Sequence, residues 1–143
     1  MLIGKYEHNL DNKGRISIPA KIREVLRKVY TDECLILTSY ANYLVAYPVQ
    51  EWLSIGEKIR NAPNMEQSVS DFMRVLFSNA SEVSFDKQGR ILIPPPMRAK
   101  VGIDKAVVMV GVMNRLEIWS QEKWLVFEQS VHLNREKLAG FGI

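Results

Sequence analysis

Polar and apolar side chains alternate over Arg15-Ile16-Ser17-Ile18, and a similar stretch, Arg90-Ile91-Leu92-Ile93, recurs with one apolar intruder, Leu92, on the polar side. A period of two sets Ile16 and Ile18 on one face of a strand and Arg15 and Ser17 on the other. Proline ends both strands, since it cannot donate to a ladder yet suits the first turn of a helix. The period then changes. Ile22, Val25, Leu26 and Val29 recur at helical spacing, leaving Lys21, Arg23, Arg27 and Lys28 for other faces. In the second stretch Pro95 and Pro96 delay the helix and Gly102 interrupts it, so a short helix is expected there. Paired apolar runs follow, CLILTSY with YLVAY around Ala41-Asn42 and AVVMVGV with LEIW around Met113-Asn114, and predict two hairpins. A further helix should open near Pro48 and carry Trp52, Ile55 and Ile59, and its counterpart should carry Trp124, Phe127 and Val131. Between them, Val69, Phe72, Met73, Leu76 and Phe77 make a helical stripe suited to a core or a partner surface.

The elements come twice because the chain repeats itself. DNKGRISIP at 11–19 returns as DKQGRILIP at 86–94, an offset of 75, and the match extends from Glu7/Glu82 to Arg23/Arg98. NYLVAYPVQEWL from Asn42 matches NRLEIWSQEKWL from Asn114 at an offset of 72, so three residues separate the copies between the two blocks. The expected organisation is a first unit at 1–61, a bridging helix at 62–79 and a second unit at 80–143, in a mainly β, α+β chain. Two copies are too few for a solenoid and fit a pseudo-twofold pair. Each Asp-x-x-Gly is turn chemistry: Asp11 and Asp86 can accept from backbone amides ahead of them, and Gly14 and Gly89 can take positive φ. A lone strand-turn-strand unit is marginal in water, so Ile16 and Ile18 should pack against Ile91 and Ile93.

An apolar content of 47% in 143 residues supports a real core. The apolar runs, such as Ala106 to Val110, fall far short of the roughly 20 residues of a membrane helix. The N-terminus places charge where a signal peptide is apolar, so a cytoplasmic protein is expected. One cysteine, Cys34, excludes an internal disulfide. The net charge is only +3, but residues 1–29 hold seven Lys/Arg against three Asp/Glu, and residues 82–105 hold five against three. Residues 30–81 reverse this, with three against six. The basic excess follows the repeated phrase, as a polyanion partner or a solvated charged face would require.

Enzyme signatures are missing. His8 and His132 have no metal-ligand spacing, and one cysteine rules out a zinc site of usual composition within the chain. Neither a glycine-rich phosphate loop nor a Gly-x-Ser-x-Gly elbow occurs, so no cofactor, metal or small-molecule substrate is expected. Asp11 and Asp86 could be brought together as an acid/base dyad, but an Asp opening a glycine turn already has a structural task. Arg15 is the stronger lead: it points outward from a strand beside Lys13, and its planar fork suits phosphates and the O6/N7 edge of guanine. Lys21 and Arg23 can add phosphate contacts, whereas local salt bridges on a solvated face are the bland alternative. Copy two has Gln88 for Lys13 and Leu92 for Ser17, so Lys87, Arg90 and Arg98 are expected to support the fold or meet a neighbouring subunit.

The duplicated Asp-x-x-Gly-Arg-Ile-x-Ile-Pro phrase resembles the swapped-hairpin DNA-binding proteins of the AbrB/SpoVT class, whose units interlock into a double-split β-barrel. The KGRISIP wording, the opening Gly4-x-Tyr6-x-His8-x-Leu10-Asp11 and the Tyr47-Pro48-x-x-Glu51-Trp52 step resemble the MraZ family in particular, over nearly the whole chain. That resemblance implies two tandem units with flanking helices. It also implies a nucleoid-associated bacterial regulator, typically a repressor of its own division and cell wall gene cluster. Such a regulator is a ring-shaped homo-oligomer on double-stranded DNA carrying short G-rich direct repeats. The family's Asp-x-x-x-Arg signature falls on Asp11 and Arg15 and on Asp86 and Arg90. Two alternatives are a structural or protein-binding ring that reads no DNA, and an antitoxin of the same class, for which the residues after Lys137 offer little tail.

Overall fold

The computed structural model describes residues 1–31, 33–62 and 66–143. The first repeat supplies β1 (Leu2–Asn9), β2 (Arg15–Ser17), α1 (Ala20–Val25) running into a π-helical turn (Leu26–Tyr30), β3 (Cys34–Ser39), β4 (Leu44–Pro48) and α2 (Val49–Arg60). After α3 (Gln67–Ser78) the second supplies β5 (Ser81–Ser84), β6 (Arg90–Leu92), α4 (Pro95–Val101), β7 (Ala106–Met113), β8 (Arg115–Ser120), α5 (Gln121–Ser130) and α6 (Arg135–Ala139). Helix exceeds strand, so the fold is mixed α+β rather than mainly β. The expected bridge at 62–79 contains α3, and its residues 63–65 lie outside the described residues.

The repeats complete each other's sheets. A six-stranded antiparallel sheet runs β1-β7-β8-β4-β3-β5, and β2 pairs with β6 in a separate two-stranded ribbon. Strand β1 of the first repeat thus lies on β7 of the second, and β5 of the second lies on β3 of the first. Equivalent residues face each other at two places, Ile16 opposite Ile91 and Val45 opposite Glu117, which marks the pseudo-twofold axis. Among the described residues no closed barrel forms: β1 and β5 end the large sheet, and the three-residue β2 and β6, each bounded by a glycine turn and a proline, pair with each other. Ile16, Ile18, Ile91 and Ile93 are buried in one core with Leu2, Leu37 and Leu116. Removing each such side chain from water contributes about 1.5–3 kcal/mol.

Local departures from the sequence pattern have physical causes. Val29 is 55% exposed, and Tyr30 is buried in its place. The Thr31 N–H bonds to the Leu26 carbonyl at 3.1 Å, an i to i+5 bond whose wider turn moves the inward position by one residue. This turn sits in the stretch that holds the three extra residues of the first repeat; the second ends α4 directly on Gly102 in a left-handed conformation. Pro95 and Pro96 do not delay α4. They occupy its first positions, where an N–H would have no helical partner. Val131 lies just past α5 in extended conformation, and Phe127 is 39% exposed. Along α3 only Leu76 is buried, with its carbonyl accepting from the Thr38 hydroxyl at 2.9 Å, while Val69, Phe72, Val75 and Phe77 remain exposed.

Candidate nucleic-acid interface

The turn before each ribbon strand is built on one carboxylate. Asp11 Oδ1 accepts from the backbone N–H groups of Lys13 and Arg15, both at 2.9 Å, and Oδ2 accepts from Arg15 Nε at 2.7 Å. Asp86 repeats this with the N–H groups of Gln88 and Arg90 at 2.9 Å and Arg90 Nε at 2.8 Å. One aspartate thus folds the turn and fixes the next arginine by its Nε, so that for Arg15 the Nη edge of the fork can meet an outside acceptor. The Arg15 backbone N–H above all, then the Arg15 guanidinium and the Lys13 N–H, hold the Asp11 carboxyl down to about 2 against partial desolvation. The Asp86 carboxyl is lowered in the same way, chiefly by the Arg90 N–H.

Because the folded-state value is depressed, the stabilisation from Asp11 is fully present above its ordinary 3.8 and is lost as pH falls towards 2. A carboxyl carbon NMR titration should therefore show Asp11 ionised throughout pH 8 to 4. A midpoint near 4 would mean that the turn does not hold the carboxylate as described.

The glycines of these turns are crossed by the opposite repeat. Gly14 has φ +81°, and a Cβ there would come within 2.7 Å of the Arg98 guanidinium. Gly89 has φ +75°, and its Cβ would come within 2.5 Å of Arg23. Arg23 Nε donates to the Ile18 carbonyl at 3.0 Å and Arg98 Nε to the Ile93 carbonyl at 3.1 Å, so each guanidinium is bonded to its own strand end and packs over the glycine of the other repeat's turn. Arg23 and Arg98 are half-buried in this packing, whereas Lys13, Lys21 and Lys87 are exposed.

The ribbon brings both signature arginines to one face. Ile16 and Ile91 point inward, and Arg15, Ser17, Arg90 and Leu92 occupy the alternate positions, with Arg15 opposite Leu92 and Ser17 opposite Arg90. Asp11 Oδ2 also lies 3.7 Å from Arg90 Nη1, linking the two repeats across the ribbon. The repeat predicts that the isoleucines of the two copies meet, but not that β2 and β6 pair edge to edge and so set both arginines on one face. Their union depends on the exchange of strands, which a single repeat cannot reveal. Arg27 was visible only as an outward helix position; the wider turn after α1 sets it with Arg23, Phe85 and Lys87 around a cleft of about 400 Å³ beside the second turn. Among the described residues no group of three His, Cys, Asp or Glu side chains is placed to hold a metal ion, and no helix is long and apolar enough to cross a membrane.

A family model described as "MraZ protein, putative antitoxin-like" matches residues 1–75 and again residues 76–139. A transcriptional regulator MraZ from Clostridium acetobutylicum is 41% identical, covering all of both chains. Proteins of the same name from Syntrophomonas wolfei and Clostridium beijerinckii are 39% and 42% identical, covering 97% and 91% of this chain and 94% and 89% of their own. Two family matches in tandem, full-length relatives and a paired Asp-x-x-x-Arg turn on one ribbon agree: the chain belongs to the MraZ family.

Proposed function

We propose that the chain is a sequence-specific DNA-binding transcriptional regulator. It represses its own division and cell wall gene cluster as a ring-shaped homo-oligomer on short G-rich direct repeats, associated with the nucleoid in the cytoplasm. The observation that carries this reading is the β2–β6 ribbon, whose outer face presents Arg15 and Arg90 on aspartate-buttressed turns flanked by Lys13 and Lys87. A two-stranded ribbon fits a major groove, and an arginine fork matches guanine O6 and N7. Lys13 and Lys21 supply phosphate contacts, as does Arg23, which together with Arg98 also braces the turns, and Lys87 with Arg90 extends the same face. The exchanged strands support reading the core as the family's interlocked double-split arrangement. The 1–61 and 80–143 units are then halves of one binding body rather than independent domains.

One subunit with few cationic contacts would bind at the nonspecific scale of about 10⁻⁴ to 10⁻⁶ M. A ring that places one ribbon on each repeat gains through effective concentration and demands a fixed repeat spacing. The exposed Val69, Phe72 and Val75 of α3 offer apolar area for contacts between copies. The same surface favours the second reading, a protein-binding ring that reads no DNA.

Titrating the protein with the DNA upstream of its own gene, across a salt series, separates the two. Specific binding with a steep salt slope is expected, and Lys13→Ala should lower that slope by about 1 while weakening all sequences alike. Equal, weak binding to upstream and unrelated DNA would favour the ring without DNA reading.

A further inference from the structure

The outer face of the ribbon is not symmetric, and the asymmetry has a chemical meaning. The Ile18 N–H donates to the Gly89 carbonyl at 3.1 Å and the Ile93 N–H to the Gly14 carbonyl at 3.0 Å. Alternation along an antiparallel ladder then sets Arg15/Leu92 and Ser17/Arg90 at the non-hydrogen-bonded positions, where opposing side chains approach most closely, about 5 Å between Cβ atoms. Leu92 is 51% exposed there, although its inward neighbours Ile91 and Ile93 are buried. It is the one large apolar side chain among the four on this face. A perfect twofold would pair both arginines with the same residue; here Arg15 has a leucine beside it and Arg90 a serine.

We propose that Leu92 is a specificity-determining residue that packs on the 5-methyl group of a thymine next to the guanine read by Arg15. This rests on the DNA-reading function proposed above and deepens it. In the major groove only thymine presents a methyl group, and an apolar side chain is its natural contact. Ser17, small and polar, makes no equivalent demand beside Arg90. The Leu92/Ser17 difference therefore gives a pseudo-symmetric ribbon a polarity: it fits a base-pair step in one direction better than in the other. A symmetric ribbon would have no such preference, and an array of identically oriented sites needs one.

The test uses the full-length protein and a duplex selected by it from a random-sequence library. Each thymine of that duplex is replaced in turn by deoxyuridine, which removes only the methyl group. Wild type is expected to lose about four-fold in affinity at one position adjacent to a guanine, the scale of one buried methyl. Leu92→Ala should bind thymine and uracil equally at that position, and Leu92→Ser should reduce the preference for the duplex's orientation in a head-to-tail array. Both substitutions are at an exposed position, so melting temperatures should match wild type. If wild type is indifferent to every replacement, or Leu92→Ala keeps the discrimination, the proposal is overturned while DNA reading by Arg15 stands. If Arg15→Ala selects and binds the same duplex as tightly as wild type, the DNA-reading assignment itself fails, and the role of Leu92 falls with it.

Discussion

Ile16→Ala is expected to lower the unfolding free energy by about 2–5 kcal/mol, and Ile91→Ala by a similar amount. Both side chains are fully buried, and they face each other across the β2–β6 pair at the centre of the pseudo-twofold. Truncation removes several buried carbons and leaves a cavity that two short, turn-anchored strands cannot collapse to fill. A small domain has about 5–15 kcal/mol in total, so either change should produce a large drop in denaturation midpoint. The two residues are in contact, so the double variant should depart from the sum of the singles. Urea unfolding of the three variants measures this. Near-additive losses below about 1 kcal/mol would mean that the repeats are not joined through this pair.

Arg15→Ala is expected to remove specific DNA recognition while leaving the fold and assembly unchanged. A bidentate arginine contributes about 1–3 kcal/mol of discrimination at each guanine it reads. If several subunits engage one operator, the loss is multiplied through avidity, and specific binding should fall to the nonspecific level. The fold should hold because the turn keeps both amide bonds to Asp11 without the guanidinium, whose loss removes only the side-chain bond to Oδ2. Arg90→Ala should cost less, since Arg90 stands beside Ser17 and behind a turn with Gln88 in place of Lys13. Gel shift and sedimentation of wild type and both variants separate lost recognition from lost assembly.

Much of this was legible in the sequence because it depends on local rules. The Asp-x-x-Gly turns, the inward isoleucines and both hairpins follow from turn chemistry and alternation, and the 75 and 72 offsets locate the extra residues that the structure accommodates with a π-helical turn. What was hidden is nonlocal. The duplication predicts that Ile16 and Ile18 meet Ile91 and Ile93, but periodicity within a repeat cannot give the edge-to-edge register of β2 on β6 that gathers Arg15, Arg90, Ser17 and Leu92 on one face. Nor could it show that Arg23 and Arg98 cross to the opposite turns, where their guanidinium groups brace Gly89 and Gly14. The helical stripe read at Val29 failed because one widened turn shifts the inward position to Tyr30. The stripe on α3 was correctly periodic, yet only Leu76 is spent in the fold, and periodicity alone does not say what covers the rest.

The most direct test of the central claim is methylation protection of guanine N7 on the DNA upstream of the gene, with wild type and Arg15→Ala at concentrations that saturate each. If Arg15 reads guanine in the major groove, wild type will protect regularly spaced guanines, and Arg15→Ala will bind without protecting them. Protection that is identical for both proteins, or binding by wild type with no guanine protected, would contradict the account.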